Sequence, residues 1–443
     1  MIWSPRRASR RKGQRNRATG PKVVILGGGF AGIAAVRRLT KDGVDVTLVD
    51  QHPYGTFQPL LYQVATAGLN PGDVVYPLRS LTARTGAHMV RGRAVGLDLE
   101  AKHLLLADGR TVPYDYLLIG SGATTNYFGI PGAAENALPL YTRADALRVR
   151  DRVFGALERA AAAQPPPAEL RLIVVGGGAT GVETAGALAE LRKAGPQTYP
   201  ELEGIRESIL LVEMGPTLLP PYKERLRKYA RSQLIKRGVE VRTDTAVTEV
   251  LPGGVVLKSG ERLSAVAVIW AAGVTTDSVL DEWHLPRGRG GRIQVADDLQ
   301  VLGIPAVFAA GDVSVSADGE PLPQVAQPAI QGGRHAAEQI LARINGVETK
   351  PFRYHDKGTM ATIGRRSAVA EVRFLPAIKG TIAWLIWVGL HLVTLLGGRN
   401  RASALVNLVA RYASWPHTMN VIVGDADMDV VLANGEGPRA LTE

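Results

Sequence analysis

Two β-branched runs, each followed at once by a G-x-G-x-x-G turn and then by a helical apolar pattern, constrain this chain more than any other feature. The first is Lys22-Val-Val-Ile-Leu-Gly27-Gly-Gly29-Phe30-Ala31-Gly32, and the second is Leu172-Ile-Val-Val-Gly176-Gly-Gly178-Ala-Thr-Gly181. Both read as strand, tight turn, helix. The first two glycines of the motif let the backbone turn and approach a pyrophosphate, the third lets helix pack on strand, and the helix N-terminus offers amides and a positive dipole end. One such turn can close an ordinary loop, so the residues downstream decide. Asp50 follows the strand 44–49 and Glu213 follows the strand 209–212, each placed to accept hydrogen bonds from an adenosine ribose. An acid at Glu213 also repels a 2′-phosphate and favours NADH over NADPH, with Arg225 and Arg227 nearby as opposing charges.

Tyr116-Leu-Leu-Ile-Gly-Ser-Gly-Ala-Thr124 and Val268-Ile-Trp-Ala-Ala-Gly273 close the two units, each a strand ending in small residues. Val307-Phe-Ala-Ala-Gly311-Asp312 repeats that pattern and returns the chain to the first domain. There Asp312 either bonds the ribityl or pyrophosphate part of a flavin dinucleotide or is an ordinary turn aspartate. A linker reading for Ala160 to Pro167 starts a domain near residue 168. The expected fold class is α/β, with two Rossmann-like dinucleotide-binding domains, for FAD and NADH, and a C-terminal amphipathic helical membrane-anchoring segment. The expected divisions are a basic tail (1–20), an FAD-binding domain in two parts (21–167 and 296–376), an NADH-binding domain (168–295), anchoring helices (377–415) and an acidic tail (416–443).

At 443 residues there is room for these domains. The net charge of +11 is not a nucleic-acid signature, because residues 6–17 carry +7 and residues 350–415 carry +8, leaving −4 elsewhere. The late excess is interleaved with Trp, Leu and Val, a pairing that suits an anionic lipid surface. The N-terminal run reads as a solvated tail or an extension from an upstream start codon, with no apolar signal segment after it. There is no cysteine, which excludes a redox disulfide, a thiolate zinc site and a cysteine-ligated cluster; no metal site is expected.

The three glycine motifs in this order resemble the two-dinucleotide-binding-domain flavoproteins over residues 20–345. Within that superfamily, Phe57-Gln58-Pro-Leu-Leu-Tyr-Gln-Val-Ala65 and Pro323-Gln-Val-Ala326-Gln327-Pro-Ala-Ile-Gln331 look like the type II NADH:quinone oxidoreductases. The segment Tyr354-His-Asp-Lys357-Gly-Thr-Met360-Ala-Thr-Ile-Gly364 and the aromatic-rich region 384–415 are similar to that family's flavin-covering turn and membrane tail. The resemblance implies that Gln58 and Ala326 lie at the cofactor and that Gln327 and Gln331 line a quinone pocket. It further puts Lys357 near flavin and quinone, Met360 in the tunnel wall and Glu183 close to the nicotinamide. The rival readings are helix-start polarity for the glutamines and a first-turn acid, favoured by the dipole, for Glu183.

From Thr381 to Gly398 there is no charged residue, but His391, two threonines and closing glycines fall short of a span. With Lys379, Arg399 and Arg401 flanking, and a second apolar pattern from Ala402 to Trp415 containing Arg411, two interfacial helices with Trp at the boundary fit better than two core helices of a soluble dimer. The resulting expectation is a peripheral enzyme on the cytoplasmic face of the membrane, a homodimer, passing electrons from NADH through FAD to menaquinone or ubiquinone without proton pumping. A soluble reductase of an iron–sulfur protein, or a non-catalytic NADH sensor, would share the glycine turns. A sulfide-oxidising quinone reductase would need cysteine.

Overall fold

The computed structural model describes residues 20–317, 321–373 and 376–414; the expectations for the basic tail, for Trp415 and for the acidic tail lie outside them. Strand β1 (Lys22–Leu26), helix α1 (Phe30–Leu39) and strand β2 (Asp45–Asp50) come first, followed by α2 (Leu61–Ala65), β3 (His88–Arg91) and β4 (Tyr116–Ile119). After β5 (Leu138–Pro139) and α3 (Arg143–Ala162) the pattern repeats as β6 (Glu169–Val175), α4 (Ala179–Thr198), β7 (Arg206–Val212), β8 (Val239–Arg242) and β9 (Ala267–Trp270). Then come β10 (Val307–Ala309), α5 (Ala326–Ile344), the strands β11 (Thr359–Gly364), β12 (Ser367–Glu371) and β13 (Ile378–Gly380), and helices α6 (Thr381–Thr394) and α7 (Gly398–Ser414).

One compact unit comprises residues 20–55, 77–123 and 276–354, as far as they are described. Its parallel sheet runs β10-β4-β1-β2-β3. The strands are apolar on both faces, as a covered parallel sheet requires: Val23, Val24, Ile25, Leu48, Val49, Leu117 and Leu118 are all buried. Helix α5 crosses α1 closely because Gly333 has no side chain; a Cβ there would collide with the Ala31 carbonyl.

The other unit comprises residues 56–76, 124–275 and 355–414. Its parallel sheet runs β5-β9-β6-β7-β8, the same fourth-first-second-third order about its own glycine turn. Its edge differs: the fifth strand of the first sheet arrives late in the chain, whereas β5 precedes β6. This corrects the boundary expected at 168. Leu138 and Pro139 pair with Ile269 and Trp270, and α3 buries Val149, Val153 and Phe154, so the proline-rich 160–167 stretch is an internal connection of this unit. The boundaries expected at 295 and 376 shift likewise: residues 276–295 cluster with the first unit, and 355–376 cluster with the second, where β11 packs on α4.

Candidate active site

Each glycine turn is shaped by sterics that only glycine satisfies. Gly27 has φ +99° and Gly176 φ +112°, and a Cβ on either would strike the backbone of the neighbouring strand's end, at Gly120 and Ala271 respectively. A Cβ on Gly32 or Gly181 would collide with the carbonyl of Gly27 or Gly176, so the helix can start directly behind the turn only with glycine there. At Gly29 and Gly178, in contrast, a Cβ would meet nothing within 4 Å. That open space lies over the first turn of α1, which starts at Phe30 and Ala31 and whose Gly29 cap makes no side-chain hydrogen bond. An open cradle at the positive end of a helix fits a pyrophosphate, so both turns fit a dinucleotide.

The strand-end acids are held the same way twice. Asp50 Oδ2 accepts from the Gly28 amide at 2.6 Å and Oδ1 from the His52 amide at 2.7 Å. Burial pushes the Asp50 carboxyl above its usual range, and these two amides pull it back. Glu213 Oε2 accepts from the Gly177 amide at 2.5 Å, and Oε1 from the Gly215 amide at 2.6 Å. Each acid thus clamps the middle glycine of its turn while keeping acceptor capacity for a ribose diol.

In the first unit, Gly311 (φ +86°) turns the chain after β10 against Ala329 of α5, and Asp312 follows, its carbonyl accepting from Gln324 Nε2 at 3.2 Å. The Arg292 guanidinium, lowered in pKa by burial, is stabilised by the Asp312 charge. Ala326 is the first residue of α5, and Gln327 and Gln331 follow one turn apart, both half-buried; the Val325 cap makes no side-chain hydrogen bond.

In the second unit, Gly273 follows β9 against Phe128, its carbonyl accepting from the Asn126 amide at 3.0 Å. Gln58 opens the turn before α2, and its Oε1 is buried with no hydrogen-bond partner. An orphaned acceptor of that kind costs about 1–3 kcal/mol unless a ligand supplies a donor. Lys357 is exposed on the loop before β11, and Met360 on β11 packs among Ala368, Ala370, Ala383 and Trp384.

Glu183 is not the first-turn acid of the rival reading. It lies one turn into α4, 8% exposed, and accepts from the Thr362 amide of β11 at 3.2 Å. Burial raises its pKa to about 8, and the Thr362 amide and the nearby Trp387 indole only temper this. That shift favours the protonated carboxyl. Around it stand buried groups that the sequence reading did not single out. Tyr62 has its hydroxyl pKa pushed well up by burial, and Tyr222 is bonded to Thr359 at 2.9 Å. Trp387 is stacked 4.0 Å from His391, which burial lowers to about 4 and so keeps neutral. The expectation of boundary tryptophans is corrected here: Trp387 is 1% exposed and packs on Tyr62, while Trp384 packs edge-on to Tyr412. The outer faces of α6 and α7 instead carry Ile382, Leu385, Leu390, Val393, Val406 and Val409, all exposed. Among the described residues no helix is long and apolar enough to cross a membrane, and no cluster of His, Asp and Glu could hold a metal.

Residues 21–333 match the pyridine nucleotide-disulphide oxidoreductase family, whose disulphide chemistry cannot operate in a chain without cysteine. The chain is 35% identical to the type II NADH:quinone oxidoreductase Ndh of Mycobacterium tuberculosis, over 89% of this chain and 88% of that one. It is 39% identical to NdhA of the same organism, over 87% and 85%. In structure it is similar to NDH2 of Plasmodium falciparum in complex with NADH, with a TM-score of 0.83 at 21% identity, covering 91% of this chain and 99% of that one.

Proposed function

Because the chain belongs to the type II NADH:quinone oxidoreductases, we propose a division of labour in which the first glycine turn serves FAD, the second serves NADH, and Gln327 and Gln331 receive the quinone. The enzyme oxidises NADH and reduces quinone, with FAD and NADH as its two dinucleotides. Bound FAD supplies the capacity to take a hydride from NADH and pass two electrons to quinone. The protein's own groups bind, orient and protonate. Gly27, Gly29 and Gly32 with Asp50 hold one pyrophosphate and ribose, with Asp312, Ala326 and Gln58 completing the flavin's polar partners. Gly176, Gly178, Gly181 and Gly273 with Glu213 hold the other dinucleotide. The amides of Gln327 and Gln331 donate to quinone oxygens, Lys357 offers a positive charge to the reduced product, and Met360 supplies an apolar wall.

Reducing a quinone to its quinol consumes two protons, and buried Glu183, whose environment favours the protonated carboxyl, is a group suited to supply one. The observation that carries this reading is the doubled cradle: two glycine turns of one construction, each clamped by a strand-end acid, in one chain. We place the enzyme peripherally on the cytoplasmic face of the membrane, where NADH is found, with the outward apolar faces of α6 and α7 in the lipid and Arg399 and Arg401 at anionic headgroups, without proton translocation. A homodimer belongs to the same proposal and is read by light scattering. NADH oxidation with a short-chain quinone, against oxygen and a ferredoxin as alternative acceptors, tests the function. Turnover with quinone supports it, and turnover with ferredoxin alone would defeat it.

A further inference from the structure

The inward face of helix α7 sets a polar stripe beside the buried apolar Ala404 and Leu408. Asn400, Ser403, Asn407 and Arg411 recur at spacings of three and four residues and share one face. That face turns inward. Asn400 Nδ2 donates to the Val75 carbonyl at 2.5 Å, Ser403 Oγ and Asn407 Nδ2 donate to the two Asp73 oxygens at 2.6 Å, and Arg411 donates to Gln63 Oε1. Leu405, Val406 and Val409 face outward. A guanidinium only 4% exposed pays a large desolvation cost, which only partners can offset. Glu190 Oε2, 3.8 Å away, supplies the opposite charge. An outward arginine on this helix would escape that cost, so its inward placement asks what it holds.

It grips two elements that meet at Glu183. Gln63 Nε2 donates onward to the Tyr62 hydroxyl oxygen at 2.7 Å, and Tyr62 lies against Trp387 and within the field of the Glu183 carboxyl. Glu190 stands two turns beyond Glu183 on the same helix α4. Gly68 leaves the room: a Cβ there would collide with the guanidinium. We infer that Arg411 is a positioning residue for quinone reduction, fixing the surroundings of Glu183 to the seat of α7 through Gln63 and Tyr62 on one side and Glu190 on the other. This deepens the quinone reading above and rests on it.

The test is stopped-flow on the full-length, FAD-loaded protein, with NADH for the reductive half-reaction and a decyl-substituted benzoquinone or ferricyanide for the oxidative one. In Arg411→Met, reoxidation by the quinone should slow about tenfold or more, while reduction by NADH and reoxidation by ferricyanide stay within about twofold of wild type. Arg411→Lys, which keeps the charge without the fork, should recover part of the quinone rate. Gln63→Leu should reproduce the loss, and the double variant should be no slower than either single one, because both break one chain. Should Arg411→Met fail to fold, Gln63→Leu decides alone, since it leaves the pair with Glu190 intact. A wild-type quinone rate in either folded variant, equal slowing with ferricyanide, or additive losses in the double variant would overturn the inference. A wild-type protein that reduces ferricyanide but no quinone would overturn the reading beneath it.

Discussion

At the scale of single residues, Asp50 and Glu213 solve one problem twice: a carboxylate at a strand end fastens the middle glycine of the adjacent turn and still has lone pairs for a ribose. Glu213→Gln should keep one accepted amide bond and lose the negative charge. The ratio of kcat/KM for NADH over NADPH should then fall about tenfold or more, since charge-assisted hydrogen bonds contribute roughly 1.5–3 kcal/mol; an unchanged ratio would put the ribose acid elsewhere. Glu183 has the opposite environment and the opposite consequence. An exposed carboxyl loses its proton near pH 4.3, whereas buried Glu183 keeps its own to about 8. Between those values the folded state binds more protons than the unfolded one, so this residue's contribution to stability falls as pH rises through the window. Glu183→Gln stays neutral throughout. Its thermal midpoint should gain on wild type between pH 6 and pH 9, toward a ceiling on the order of 5 kcal/mol. Midpoints that run parallel with pH would mean that Glu183 is ionised in the fold.

At the scale of elements, what is dictated locally was legible and what depends on distant partners was not. A glycine turn behind a β-branched strand carries its own steric reason, so β1-α1 and β6-α4 read directly from the chain, and so did the strands ending in Gly120 and Gly273. The apolar count of 381–398 likewise revealed a helix with too few residues to span. Which way that helix faces was hidden, because tryptophan is equally at home in a membrane interface and against Tyr62 and His391. A signal was present for α7, four of whose polar residues fall at 400, 403, 407 and 411 on a single stripe, but only tertiary contacts show that the stripe points inward. The short β5 was missed for a related reason: two residues, Leu138 and Pro139, carry no periodicity. The outward face makes its own prediction. Val406→Asp with Val409→Asp puts two charges where lipid is proposed, so flotation with anionic liposomes should drop severalfold, and reduction of a long-tailed quinone in those liposomes should fall more than ferricyanide reduction. Undiminished flotation would assign that face to something other than lipid.

At the scale of the molecule, one fourth-first-second-third sheet order is repeated in two units, each with its own glycine turn. Gln327 belongs to the unit of the first turn, on the opening turn of α5, while the second turn and Glu213 belong to the other unit. If its amide donates to the quinone, Gln327→Ala removes a hydrogen bond to an oxygen that gains negative charge during reduction. That is a loss of about 1.5–3 kcal/mol, or roughly ten- to a hundredfold in rate. Stopped-flow reoxidation of the flavin by quinone should slow by that factor in Gln327→Ala, while its reduction by NADH stays near wild type. Lys357→Met should show the same asymmetry with a smaller loss, because the exposed position of Lys357 leaves its charge largely screened by water. Were both variants instead slow in accepting a hydride from NADH and normal in reoxidation, these two residues would serve the nicotinamide, and the quinone would have to be sought away from α5.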